Sequence, residues 1–431
     1  MRYESISNEL FIKNRKRFCK ELEPHSVCII HSNDEFPRTG DQNFTFKQNP
    51  DLFYLTGIDQ EDTVLILCPD ARLKTHEEIL FLRETNDHIA VWEGEKLTKQ
   101  KASELSGIPE NQIHWVKDME NILQTLVHYS ENIYLNTNEN DRYLHKVPYK
   151  DLRFISWINE RYPLHTLKRA APIFLKLREI KSSLEIDMLS KASMITQKGF
   201  IRTLGFIKPG IWEFEIEAEI THEFIISRAD GHAYSPIIAS GANACVLHYN
   251  TNHQQCQDGD LVLMDFGASY GNYNADLTRT VPVNGRFTKR QKEVYQSVLH
   301  IFNEARQMLK PGLKLVDYRA ETDKIALSEL RKLGLVSKEE AKGKGEKNNA
   351  WRKYYPHGIS HYLGLDVHDL GDRFEKIKAG MVFTCEPGIY IREEGIGIRL
   401  ENDIAITENG NIDLMQNIPI EIQEIEQLMN R

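Results

Sequence analysis

The sequence predicts a two-domain protein: an α/β domain over residues 1–172, then an α+β domain built on antiparallel sheet over residues 173–431. Three observations lead there. Short β-branched runs alternate with helix-compatible stretches in the first part. A long segment with apolar residues at helical spacing opens the second part. Two patterned hairpins further on carry carboxylates among apolar neighbours, which surface strands do not need.

The strand-like runs of the first domain are VCIIHS (27–32), TVLILCP (63–69), EILFLR (78–83) and NIYLNT (132–137). Their branched side chains suit a pleated, half-buried surface. Between the last two lies KLTKQKASELSG (96–107), polar, helix-compatible and closed by a glycine. A boundary falls near Pro172. Beyond it, LREIKSSLEIDMLSKASMITQKGFIRTLGFI (177–207) keeps helical spacing until Lys208, Pro209 and Gly210 begin a turn. Long helices and hairpins follow, with no short fixed repeat. The lysine-rich stretch SKEEAKGKGEKNNAWRK (337–353) reads as a solvated loop.

With 41% hydrophobic and 27% charged residues, the composition is that of a globular chain. A net charge of -9 counts against nucleic acid as a partner, since phosphates call for a positive field. No apolar run approaches the roughly 20 residues that span a bilayer, so no membrane partner is expected. The opening MRYESISNELFIKNRKRF lacks the apolar core of a signal peptide. Cys19, Cys28, Cys68, Cys245, Cys256 and Cys385 are scattered without a C-x-x-C pair, as thiols of a reducing compartment are. The expected location is cytoplasmic.

The first hairpin is GDLVLMDFGASYGNYNADLTRTVPV (259–283). Centred between Tyr270 and Gly271, it pairs residues whose numbers sum to 541, which sets Asp265 opposite Asp276. The second, MVFTCEPGIYIREEGIGIRLENDIAIT (381–407), centres between Glu393 and Glu394; partners sum to 787 and Glu386 faces Glu401. Opposed like charges are destabilising unless something positive lies between them. An isolated pair would be surface charge, but Val262, Met264, Phe266, Val382, Phe383, Ile398 and Leu400 make these strands apolar. Buried carboxylates must be paired, protonated or metal-bound. Four exceed what one arginine neutralises, and metal is the reading that remains.

Histidines complete the pattern. PHGISHYLGLDVHD (356–369) holds His357, His361 and His368, with Gly358 and Gly364 arguing for a tightly turned segment. His248 follows the small-residue turn SGANA. For any one of them, a hydrogen-bonded structural role is the alternative. Oxygen ligands with one imidazole suit Mn²⁺, Fe²⁺, Co²⁺ or Zn²⁺ rather than a thiolate zinc site. Two such ions activate water and polarise a carbonyl, which makes hydrolysis the natural chemistry.

At these residues the sequence resembles the pita-bread metallopeptidases, and most closely the aminopeptidase P (Xaa-Pro aminopeptidase) group with its creatinase-like N-terminal domain. SGANACVLHYN, DGDLVLMDFGASYGNYNADLTRTVPVNGRFT, HGISHYLGLDVHD, EPGIY and GIGIRLEND carry the resemblance, in order. It implies a pita-bread catalytic domain that hydrolyses the bond before proline in peptides with proline at the second position, through a metal-bridging hydroxide. It implies two divalent metal ions, Mn²⁺ foremost, held by Asp265, Asp276, His361, Glu386 and Glu401. Asp276 and Glu401 would bridge, Asp265 would chelate one ion, and His361 and Glu386 the other. Glu386 would also shuttle the proton. His248 and His368 would contact substrate and the tetrahedral intermediate, with His357 and Tyr390 lining the pocket and Arg399 holding a ligand carboxylate. Trp92 matches an aromatic that relatives place near the substrate's first residue, ordinary packing being its alternative. A homo-oligomer, dimer or tetramer, is implied as well. Prolidase shares the five ligands but cleaves dipeptides; Ser360 favours the aminopeptidase over the glycine of a prolidase-like HGLGH. A non-catalytic peptide-binding module is the third reading, disfavoured by the complete ligand set.

Overall fold

The computed structural model describes residues 2–140, 142, 146–337 and 351–430. The chain divides into two compact units, Tyr3–Leu177 and Arg178–Arg431. Most of the lysine-rich stretch expected as a solvated loop, residues 338–350, lies outside the described residues.

In the first unit a six-stranded sheet runs in the order Ile113–Trp115, Glu78–Leu82, Val64–Leu67, Ser26–His31, Asn132–Leu135, Thr166–Arg169. Ser26–His31 lies at its centre, antiparallel to Val64–Leu67 and parallel to Asn132–Leu135. All six of its residues are buried, so the strand reads as a continuous apolar run rather than an alternating one. One core cluster joins Val27, Ile29, Val64, Ile66, Phe81 and Ile133 to Leu123 and Leu126 of the helix Met119–Val127. The helix expected within 96–107 forms over Lys99–Ser106. The Thr98 side chain caps its start, and Gly107 at φ 72° ends it in the left-handed conformation that glycine takes without strain.

The long helical segment expected over 177–207 is two helices. Ala171–Arg178 runs across the boundary expected at Pro172, and Ser183–Leu204 follows. Ser182 interrupts the pattern because it caps the second helix: the Glu185 carboxylate accepts from its backbone N–H at 2.8 Å. Helices Ser183–Leu204 and Glu213–Ile226 pack together, as do Lys289–Met308 and Leu315–Lys332. Their apolar faces cover antiparallel sheets, the α+β arrangement that the hairpins pointed to and the resemblance implied.

Both hairpins form. In the second, Val382–Cys385 pairs with Asn402–Thr407, and Gly388–Ile391 with Ile396–Arg399. Partner numbers sum to 787 in both ladders, the expected register, and the pairing breaks at Glu386 and Pro387, where proline has no N–H to give. In the first hairpin the register differs from expectation by two. Asp265 faces Thr278 and Tyr270 faces Tyr273, so partners sum to 543. The turn centres on Gly271 and Asn272, at φ 59° and 63°, the pair of left-handed residues that a tight two-residue hairpin needs. Asp276 is therefore diagonal to Asp265 rather than opposite it. A shift of two keeps both on one face.

Candidate metal centre

Four separate stretches of the second unit deliver the cluster. Asp265 lies on the strand Leu261–Phe266, and Asp276 immediately precedes the strand Leu277–Pro282. Glu386 and Glu401 occupy the break between the two ladders of the second hairpin. His361 comes from the turned segment, its backbone N–H donating to Thr384 Oγ1 at 3.1 Å. An isolated bridge between Thr278 and Glu401 stitches the two hairpins, with the Glu401 N–H donating to the Thr278 carbonyl at 3.1 Å. Close approach is enforced at Gly267, where a Cβ would sit 1.7 Å from the Ala275 carbonyl oxygen.

Three ligand atoms, one each from Asp276, His361 and Glu401, lie within 4.8 Å of one another. His361 Nδ1 sits 2.9 Å from the Tyr362 carbonyl, which can only accept, so Nδ1 carries the proton. Nε2 then faces Asp276 Oδ2 at 3.5 Å and Glu386 Oε1 at 3.7 Å. A lone pair aimed at two carboxylates wants a cation between them. Asp265 and Asp276 both approach the Tyr234 hydroxyl at 2.5 Å. A phenol has one proton to donate, so the Tyr234 hydroxyl serves only one of the two carboxylates at a time.

Burial accounts for the rest of the electrostatics. It lifts the Glu386 carboxyl to about 7, with His361 pulling down and Asp276 pushing up. Glu401 is driven well above the carboxylate range by burial and then by Asp276, Glu386 and Asp265. Asp265 is raised by burial in spite of Arg399. Burial would lower His361, but the carboxylates of Asp276 and Glu386 outweigh it and the net direction is up. Four acidic side chains share one guanidinium, and burial pushes Glu386, Glu401 and Asp265 toward the protonated form. Divalent cations fit this oxygen-rich donor set and would take the place of those protons.

Arg399 sets the surrounding hydrogen bonds. It donates to Asp265 Oδ2 at 2.5 Å, to the Tyr390 oxygen at 2.7 Å and to Thr278 Oγ1 at 3.0 Å. Thr278, its oxygen so occupied, donates to Glu401 Oε2 at 2.6 Å. Tyr390 donates to His357 Nε2 at 2.7 Å, leaving the Nδ1 proton for the Gly358 carbonyl at 2.7 Å. Burial, then Arg399, depresses His357 to about 3, so it stays neutral. His368 is exposed and its ring stands edge-on to that of His361, centroids 4.2 Å apart. His248 is exposed in a turn, near enough that its charge adds to the depression at His357. Trp92 belongs to the first unit, on the helix Asp87–Glu93, and is 75% exposed.

Three contributors escaped the sequence reading. Tyr234 and Thr278 are neutral hydroxyl residues that gain meaning only once the strands pair. Asp403 lies buried behind Asp276, accepting its backbone N–H at 3.2 Å. Its position two residues after Glu401 on an apolar strand was the available signal.

The profile of metallopeptidase family M24 matches residues 187–408, and that of the aminopeptidase P N-terminal domain matches residues 11–134. The Xaa-Pro aminopeptidase of Escherichia coli is 34% identical over 98% of each chain. The fold superposes on the aminopeptidase PepP of Pseudomonas aeruginosa with a TM-score of 0.89, at 30% identity over 99% of this chain and 98% of that one. It superposes on zinc-substituted E. coli aminopeptidase P in complex with product with a TM-score of 0.87, at 32% identity over 99% of both. Matched by that family's profile over residues 187–408 and related over 98% of its length to an Xaa-Pro aminopeptidase, this chain belongs to metallopeptidase family M24.

Proposed function

We propose that this protein is a dinuclear Xaa-Pro aminopeptidase that releases the first residue of peptides with proline in second place. The observation that carries the reading is the convergence of Asp265, Asp276, His361, Glu386 and Glu401 on one buried, electron-rich centre, in a chain related throughout to Xaa-Pro aminopeptidases. Those five residues would hold two divalent ions, Mn²⁺ in our reading, which when bound supply Lewis acidity and an activated water.

The chain's own groups do the rest. Arg399 and Thr278 orient Asp265 and Glu401, so the cluster is organised before substrate arrives. Glu386, which faces His361 Nε2 at 3.7 Å, would take a proton from the attacking water and return it to the proline nitrogen. That nitrogen leaves as a secondary amine and needs the proton. His357 stays neutral beside Glu386, its Nδ1 3.5 Å from Oε2, and adds no competing charge. His248 and His368, the exposed imidazoles at the rim, would hold substrate and the developing oxyanion. Tyr390 would line the pocket beside His357. We further infer a cytoplasmic homo-oligomer, dimer or tetramer, with no nucleic-acid or membrane partner. Among the described residues no helix is long and apolar enough to cross a membrane.

The test is hydrolysis of Arg-Pro-Pro and Arg-Pro by metal-stripped protein reloaded with Mn²⁺ or Zn²⁺, beside Glu386→Ala. Arginine released from the tripeptide and abolished in the variant is the expected result. Cleavage of the dipeptide alone would make the protein a prolidase. Failure on both would end the peptidase reading.

A further inference from the structure

The segment that carries His248 has little regular structure of its own. After the short 3₁₀ turn Gly241–Cys245 the chain runs through bends and extended residues to Gln255. An exposed imidazole on such a segment holds one place only if its flanks are tied down by something else.

Glu213, the first residue of the helix Glu213–Ile226, supplies the tie and is fully buried. Its Oε1 accepts from the Ser240 N–H at 2.7 Å and the Ser240 hydroxyl at 2.8 Å. Its Oε2 accepts from the Tyr249 hydroxyl at 2.8 Å and the Gln254 N–H at 2.9 Å. The Glu213 N–H in turn donates to the Gln254 carbonyl at 3.0 Å. One carboxylate thus grips the residue before the turn, the residue next to His248 and the far end of the segment. Asn252 adds a second grip: its side chain accepts from the Ile238 N–H at 2.9 Å and donates to the Pro236 carbonyl at 3.0 Å and to Glu217 at 2.8 Å.

The mechanism proposed above makes no use of this buried carboxylate. It has four donors, two of them backbone groups, and each bond spans 27 to 41 residues of chain. A polar group completely removed from water with all its bonds made is costly to alter and specific in geometry. We propose that Glu213 is a positioning residue for the reaction. It sets the His248 imidazole at the rim of the metal centre through Tyr249 and the two ends of the segment, and so governs how substrate is held. The proposal rests on the aminopeptidase reading.

The experiment is a double-mutant cycle on Mn²⁺-loaded full-length enzyme with Arg-Pro-Pro, using Glu213→Gln, His248→Ala and the pair, with thermal unfolding measured for each. Glutamine keeps the shape but turns one acceptor into a donor facing donors. Glu213→Gln is expected to lower kcat/KM about tenfold or more, and to lower it less than about twofold when His248 is already alanine. An equal loss in both backgrounds, or no loss in either, overturns the proposal. If Glu213→Gln fails to fold, Tyr249→Phe takes its place in the same cycle, removing one of the four bonds, with a smaller loss and the same dependence on His248. A wild-type enzyme inactive on Arg-Pro-Pro would instead defeat the aminopeptidase reading, and this proposal with it.

Discussion

Metal affinity will fall steeply on acidification, and Glu386 sets the least amount. A divalent ion binding there must displace the proton that burial holds on the carboxyl up to about 7. The apparent dissociation constant therefore scales as one plus ten raised to the difference between pKa and pH. That factor is about 30 at pH 5.5 and about 1.1 at pH 8, so binding weakens by roughly thirtyfold from this group alone. Asp265, Glu401 and His361 are raised as well and must also shed protons, which steepens the dependence. The assay is calorimetric titration of metal-stripped protein with Mn²⁺ between pH 5.5 and 8, in two buffers of different ionisation enthalpy. The difference in heat between buffers counts the protons released. A dissociation constant flat within about threefold, with no proton release, would show these carboxyls already ionised and refute the argument from burial.

The same group makes the metal-free protein less stable as pH rises. Its folded pKa lies above its ordinary 4.5, so its contribution is complete below 4.5 and lost as pH climbs through 7, about 3 kcal/mol in all. Melting of stripped protein should drop between pH 5 and pH 8, while saturating Mn²⁺ narrows the difference. Gly267→Ala should cost about 3 kcal/mol or more and abolish metal binding in calorimetry, because the clash is with the Ala275 backbone and no side chain can yield. Asp403→Asn should change stability by less than about 1 kcal/mol in urea unfolding. Burial, then Asp276, push that carboxyl up toward its neutral form, which an amide with the same acceptor imitates. Asp403→Leu strands the Asp276 N–H and should cost about 2 kcal/mol.

What could be read in advance divides along physical lines. The second hairpin was legible to the residue because Gly395, at φ 63°, ends a turn whose flanking strands leave one register for their apolar faces. The first was misjudged by two because Gly271 and Asn272 each take a left-handed conformation, and Tyr270 looked as fit for the turn as Asn272. The error did no harm to the site, since a slip of two returns every side chain to its own face. Ser182 hid the break between two helices because a serine inside an apolar period also reads as a solvent-facing residue. Tyr234 and Thr278 were invisible for a different reason. A hydroxyl carries no charge whose burial must be explained, so nothing in the pattern around it demands a partner.

The bridge between Thr278 and Glu401 has a bearing on how such a site would decay. The acidic residues on either side of that bridge come from different hairpins, so ions held between them would act as rivets across a joint. Deleting one ligand alone would leave its buried neighbours repelling each other with less to hold the joint shut. A lineage that abandoned catalysis while keeping the fold would therefore have to neutralise several acidic positions together, or recruit cations of its own to stand where the ions had been.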